Sequence, residues 1–440
     1  MTILIKNGRV INPATNLDEI KDVLIIGEKV EKIANNIDEN GVDKVIDATD
    51  CLVMPGFIDM NSNLRDPGPE EDGTIMTEMA AAAHGGYTTV LAMPNTHPVV
   101  DNPDAVNYVH NKAKAGNCIN VLQVGALTKG EKGEELCDFE GMKKVGVKAL
   151  CEAGKSIRDT NIFYNALKKA KDLDLVVLDH CQDTYLDQDG VMNDDENAKN
   201  MDMPVLSNTV EDVIIARDLM LAHKANAKLH LCHCSTHGSV KMLEIAKEIG
   251  IDVTAEVTPH HFTLTSDDIK EFIPIPENGI MIPHDTDADT AFKVNPPLRT
   301  QKDKEELIKA LKEGTIDVIA TNHEPRTFDE KNTSMRYAPF GIVGFETTAA
   351  ITYTELVLKD VLTPMQMAEK LSYNPAKIIG IDKGDISEGK TADVVIFDTS
   401  HQYKIDKNTF LSKGKNTPFQ GREVTGSVKT TICGGKVVFE

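Results

Sequence analysis

Along this chain, apolar residues gather into short β-branched blocks, separated by stretches where they recur every three or four positions. Eight blocks, at residues 51–63, 88–95, 119–127, 145–152, 173–180, 227–235, 251–259 and 315–324, predict strands. Segments 102–115, 161–172, 210–225, 238–249 and 302–314 between them carry helical periodicity. Strand and helix in alternation imply a parallel sheet. Eight repeats over roughly 270 residues suit an α/β fold of the closed (β/α)8 TIM-barrel type, which needs about 250.

The termini follow another rhythm. Residues 2–33 alternate in short runs with turn signals at Asn7-Gly8 and Gly27-Glu28, and 389–398 and 426–440 read the same way. Together they predict a small composite β-sandwich from residues 1–53 plus 388–440, beside a barrel of 54–387. The acidic insert 276–291, with its Pro and Gly, reads as an exposed loop before Lys293. The Met-bearing run 364–371 has the spacing of an amphipathic helix.

Composition narrows the classes. With 41% hydrophobic and 26% charged residues, the 440-residue chain has the balance of a globular protein with a sizeable core. A net charge of −22 argues against nucleic acid or an anionic membrane as partner, while a local basic site could still take a small anion. Met1–Val10 reads as a strand entering a turn, without a secretory signal pattern, and no apolar run reaches the ~18 residues of a membrane span; a cytoplasmic location is expected. The eight cysteines show no disulfide framework. Cys232 and Cys234 flank His233, and alternation along a strand would turn both away from it.

Many predicted strands end in polar residues: Asn61, Asn63, Asn95, Glu152, His180, His233 and Asn322. A single one could merely cap a strand. Seven at the carboxyl ends of barrel strands point to a site, because that rim is where such barrels do their chemistry.

Several long motifs carry a resemblance. They are Pro55-Gly-Phe-Ile-Asp-Met-Asn-Ser-Asn-Leu-Arg-Asp-Pro-Gly68, Gly86-Tyr-Thr-Thr-Val-Leu-Ala-Met-Pro-Asn-Thr96, Asp179-His-Cys-Gln-Asp183, His230-Leu-Cys-His-Cys-Ser-Thr236, Thr258-Pro-His-His-Phe262, Lys293-Val-Asn-Pro-Pro-Leu-Arg299, Ala338-Pro-Phe-Gly-Ile342 and Asn374-Pro-Ala-Lys377. Nearly end to end, the chain resembles dihydroorotases of the bacterial class I type, in the amidohydrolase superfamily. The resemblance implies the barrel with its composite β-domain. It also implies an activity in pyrimidine biosynthesis: opening the ring of dihydroorotate, or closing carbamoyl aspartate, with zinc-bound hydroxide and a carboxylate as general base.

The family's metal positions fall at Asn61, Asn63, Ala153, His180, His233 and Asn322. Only the two histidines are good zinc donors. Asn322 also stands at the general-base position, where a carboxamide cannot take a proton, and Ala153 removes a donor atom altogether. Glu152 sits beside Ala153, but alternation would aim it elsewhere. By resemblance, Arg65 and Asn95 would grip a substrate carboxylate and Asn295 would contact the ring. Phe340 and Gly341 would offer backbone contacts, and Arg326 stands where the family has a histidine. For His260, His261 and His323 the default is core or supporting hydrogen bonding, and Asp179 either orients a neighbour or faces outward.

These losses converge on one predicted site. The expectation is therefore a non-catalytic homologue with no zinc cofactor. It would act as an assembly partner of aspartate transcarbamoylase or within a homo-oligomer, and would bind a small carboxylate such as dihydroorotate or carbamoyl aspartate. The alternative is an active cyclic amidohydrolase that hydrolyses dihydroorotate to N-carbamoyl aspartate with an altered zinc site.

Overall fold

The computed structural model describes residues 1–270 and 289–440. Eight parallel barrel strands run Phe57–Ser62, Tyr87–Ala92, Asn120–Gln123 continued by Gly125–Ala126, Ala149–Cys151, Val176–Asp179, Leu229–Leu231, Val253–Val257 and Val318–Ile319. The ring closes where the Asn63 N–H donates to the His323 carbonyl at 2.8 Å, beside a parallel bridge between Ser62 and His323. Val124 interrupts the third strand, yet its N–H still reaches the Ala92 carbonyl at 3.0 Å.

The strands are shorter than the apolar blocks that predict them. Residues 315–324, for instance, contribute only Val318–Ile319 to the ladder. The polar ends leave the sheet early and turn into the loops of the barrel mouth. Helices match their predicted spans closely, because their ends carry caps. Asn102 caps Pro103–Gly116, Thr236 caps His237–Glu248, and Thr300 forms a capping box with Asp303 at the start of Gln301–Glu313. Gly314 closes that last helix with φ +81°, a conformation that favours glycine. Run 364–371 is helical and continues through Glu369–Tyr373 into Asn374–Ile378.

Both termini build one eight-stranded sheet, ordered Lys436–Phe439, Glu423–Cys433, Val394–Lys404, Cys51–Pro55, Thr2–Asn12, Leu17–Ile26 and Lys29–Ala34, with Lys44–Asp47 also paired to Thr2–Asn12. It covers its own buried cluster, including Ile3, Val23, Val53, Val394 and Ile432.

Two local expectations need correction. Block 51–63 is not one strand. Its first half pairs antiparallel with Val394–Lys404 in the composite sheet, and its second half pairs parallel with Tyr87–Ala92 in the barrel. The break is at Gly56, where a Cβ would lie 2.3 Å from the Thr88 side chain. Cys51–Pro55 thus crosses the boundary expected at residue 53. Asn7-Gly8 is not a turn but a bulge within Thr2–Asn12, with Asn7 at φ +62°. Gly27-Glu28 does turn the hairpin between Leu17–Ile26 and Lys29–Ala34. Most of the insert 276–291 lies outside the described residues, and Thr290–Phe292 at its end forms a short 3-10 turn. Among the described residues, no helix is long and apolar enough to cross a membrane.

Candidate functional site

The carboxyl ends of the barrel strands surround a cavity of about 320 Å³. Asn61, Asn63, Ala153, His180, His233 and Asn322 all line it, although they come from five different strand ends. Asn95, Asn295, Arg326 and Phe340 join them, whereas Arg65 and Gly341 are not among the lining residues. Three of the non-glycine positions have positive φ: Arg65 at +62°, His233 at +33° and Asn322 at +48°. Non-glycine residues adopt that region sparingly, and it clusters at functional sites.

The two histidines are hydrogen-bonded to each other, His180 Nδ1 to His233 Nε2 at 2.9 Å. Their tautomers follow from the surroundings. Gln182 Nε2 donates to Asp187 Oδ2 at 3.0 Å, and Gln182 Oε1 accepts from Asn295 Nδ2 at 2.7 Å, which fixes the glutamine amide. Gln182 Oε1 can only accept, so the proton of His180 sits on Nε2, 2.8 Å away. Nδ1 of neutral His180 is then an acceptor, and His233 donates to it from Nε2. Burial lowers the pKa of both rings, His233 the further because His180 stands beside it, so both are neutral near pH 7. The remaining lone pair, His233 Nδ1, is buried without a partner.

This arrangement does not fit the zinc site that the fold family implies. Zinc needs about three protein lone pairs converging on one point. Here one imidazole lone pair is taken by the other ring, and the remaining positions offer carboxamides or a methyl group. Asn61 Nδ2 donates to Glu256 Oε1 at 3.0 Å, Asn63 Nδ2 to the His323 carbonyl at 3.4 Å, and Asn322 Nδ2 lies 3.5 Å from the Asn295 carbonyl. Among the described residues, one group of His, Cys, Asp or Glu brings three donor atoms within 4.8 Å of one another: Asp179, Cys181 and Asp218. It includes neither cavity histidine, and the Arg217 guanidinium already holds Asp218 at 2.7 Å.

The other side of the cavity is ionic. Glu324 lines it, and its Oε1 accepts from Arg65 Nη2 and from Arg326 Nη2, each at 2.9 Å. Arg65 Nε donates to the Pro325 carbonyl at 3.2 Å and Arg326 Nε to the Phe340 carbonyl at 3.1 Å. Asp72 lies behind both guanidiniums, 3.6 Å from Arg326 and 4.0 Å from Arg65. Burial would raise the Glu324 carboxyl, but the two guanidiniums outweigh it and hold it below its ordinary value. The backbone at Gly341 is engaged as well: its N–H donates to the Lys293 carbonyl, and its carbonyl accepts from Lys331 Nζ at 3.1 Å and Asn416 Nδ2 at 2.8 Å.

The neighbouring histidines have structural partners. His323 bonds Glu78 at 2.8 Å, accepts the Gly344 N–H and stacks on Phe345, and His261 spans Thr258 Oγ1 and the Pro296 carbonyl. His260 is buried with Nε2 unpartnered and is not among the lining residues. Glu152 turns away from the cavity to the N–H and hydroxyl of Thr128. Asp179 does not face outward; it is fully buried and accepts from the Cys181 thiol at 3.1 Å.

The alternation argument fails for Cys232, which lines the cavity beside His233. The strand ends at Leu231, and the left-handed turn at His233 removes the period of two. Glu324, Gln182 and Glu256 are site residues that pattern reading passes over. Glu324 did carry a signal, standing in the run Ala320–Arg326 two residues after Asn322.

Comparison with known proteins accords with this architecture. A family described as "Dihydro-orotase-like" matches residues 50–239. The chain is 42% identical over 437 residues to a protein named dihydroorotase from Clostridioides difficile (strain 630), covering 99% of each chain. It is equally 42% identical over 438 residues to one from Clostridium acetobutylicum, covering 100% of this chain and 99% of the other. Among solved structures, an L-hydantoinase (dihydropyrimidinase) from Arthrobacter aurescens superposes with a TM-score of 0.84 at 23% identity, covering 100% of this chain and 96% of that one. A D-hydantoinase superposes with a TM-score of 0.83 at 26% identity, covering 99% and 95%. The chain belongs to the dihydroorotase family of the amidohydrolase superfamily.

Proposed function

We propose that this chain is a dihydroorotase homologue that does not hydrolyse its ligand and works by binding, as an assembly subunit of the aspartate transcarbamoylase type. The observation that carries this reading is the His180–His233 hydrogen bond, set among Asn61, Asn63, Ala153 and Asn322. A pair of imidazoles bonded to each other and ringed by carboxamides supplies no zinc cradle, and Asn322 cannot take a proton as a carboxylate would. Such a cavity can still bind: it is concave, polar in part, and at about 320 Å³ falls within the range usual for small-molecule sites.

One finding favours a second reading, that of an active dihydroorotase. End-to-end identity of 42% to proteins of that name speaks for the family's own reaction, conversion of dihydroorotate to N-carbamoyl aspartate. Metal content separates the two. Purified protein carrying well under one zinc per chain, with no turnover of dihydroorotate or carbamoyl aspartate, is the expected result. Zinc near one equivalent together with turnover would overturn the proposal. Co-purification with aspartate transcarbamoylase from native extract tests the assembly role, and no association at micromolar concentrations would count against it.

A further inference from the structure

We propose that Glu324 is a built-in stand-in for a ligand carboxylate, so that the cavity selects an uncharged ring bearing N–H groups over its carboxylated counterpart. The inference deepens the proposed binding role and rests on it.

One observation sets the charge preference and a second the preference for a ring with N–H groups. The first is charge. Arg326 is the cation on the cavity wall, and its Nη2 is bonded to Glu324 Oε1, which also takes Nη2 of Arg65. Both Nε atoms are spent on backbone carbonyls, and Asp72 stands behind the pair. An incoming carboxylate would have to displace Glu324 from both guanidiniums and leave that largely buried carboxylate, 17% exposed, without its partners, a costly exchange. With Glu324 in place, the cationic pull on an anion is cancelled at the cavity wall.

The second observation is hydrogen-bond polarity. Two lining side chains have a buried atom without a partner, Asn63 Oδ1 and His233 Nδ1. The bond from Asn63 Nδ2 to the His323 carbonyl orients the first, and the histidine tautomers fix the second as a lone pair. Both are acceptors. Ring N–H groups are the complement of such acceptors, and dihydroorotate and its uncharged counterpart share them, so this polarity favours the ring and leaves the choice between the two to Glu324. Buried unpaired polar groups of this kind are rare in native proteins and call for a partner.

The experiment is calorimetry on the full chain with dihydroorotate and with 5,6-dihydrouracil, the same ring without the carboxylate. Wild-type protein is expected to bind dihydrouracil the more tightly. Glu324→Gln, which keeps the shape and removes the charge, is expected to tighten dihydroorotate by about tenfold or more while moving dihydrouracil by less than about twofold. The wild-type preference needs no variant, so a poorly folded Glu324→Gln leaves the test intact. A wild-type preference for dihydroorotate, or a Glu324→Gln affinity equal to wild type for it, overturns the inference while leaving a binding role standing. No binding of either ring by either protein overturns the binding role and the inference with it. Zinc and turnover with the uncharged preference retained overturn the non-catalytic reading alone.

Discussion

The two sides of the cavity reach electrical neutrality by opposite routes. On the metal side the ionisable positions are empty of charge: Asn61, Asn63 and Asn322 are carboxamides, Ala153 is a methyl, and His180 and His233 are neutral and bonded to each other. On the ionic side charge is kept and offset: Glu324 bridges Arg65 and Arg326, and Asp72 and Glu330 stand near the guanidiniums. A neutral hydrogen-bonded lining costs little to bury, whereas a buried charge is tolerated only with its partner. The metal side is therefore tolerant of substitution in a way that the ionic side is not.

The largest effect that would break this contrast is restoration of the metal side. Asn61→His, Asn63→His, Ala153→Asp and Asn322→Asp together are expected to take up about one zinc or more per chain. Turnover of dihydroorotate is expected only when Glu324→Ala and Arg326→His are added, since Glu324 otherwise occupies the guanidinium grip. Metal analysis and a ring-opening assay on both variants check this, and turnover in the fourfold variant alone would show that Glu324 is no obstacle.

Next in size is the ionic side. Arg65→Ala removes one of two cations from a side chain whose ion pair is largely buried, 7% exposed at Arg65 and 17% at Glu324. Loss of about 3 kcal/mol of stability is expected by denaturant titration. His180→Asn on the metal side, which exchanges one neutral hydrogen-bonding group for another, is expected to cost about 1 kcal/mol. Equal losses would erase the contrast.

The smallest effect is a change of slope beneath the metal side. Asp59 is fully buried below Asn61, accepting from the N–H and hydroxyl of Thr321. Burial raises its pKa from 3.8 to about 7, against those hydrogen bonds and with help from Glu256. The folded state thus binds this proton more tightly than the unfolded chain. The associated stability is complete below the unfolded value and is lost as pH rises through the folded one. Asp59→Asn is expected to flatten the fall in melting temperature over that window, and an unchanged slope would assign the proton elsewhere.

Much of this was legible along the chain. The helices declared themselves through their apolar periodicity, a local property, and caps such as Asn102 and Thr300 fix their starts. The strand ends declared themselves because polar residues closing an apolar block mark where a barrel opens. Block 51–63 misled because both halves are equally apolar, and only the packing of Thr88 against Gly56 divides them between two sheets. Cys232 misled because alternation was carried past Leu231, the last residue of the strand, toward the left-handed His233.

The sequence by itself determined the barrel, the composite sheet and the carboxamide and methyl side chains at the strand ends, since periodicity and side-chain chemistry are local properties. Only the tertiary structure decided what the remaining groups do. His180 and His233 stand 53 positions apart, and Arg65 and Glu324 stand 259 apart. Whether an imidazole lone pair is free, or a guanidinium already has its carboxylate, depends on distances of about 3 Å across the barrel mouth. No local pattern encodes them, because the closing of the strand ring is what brings those atoms together.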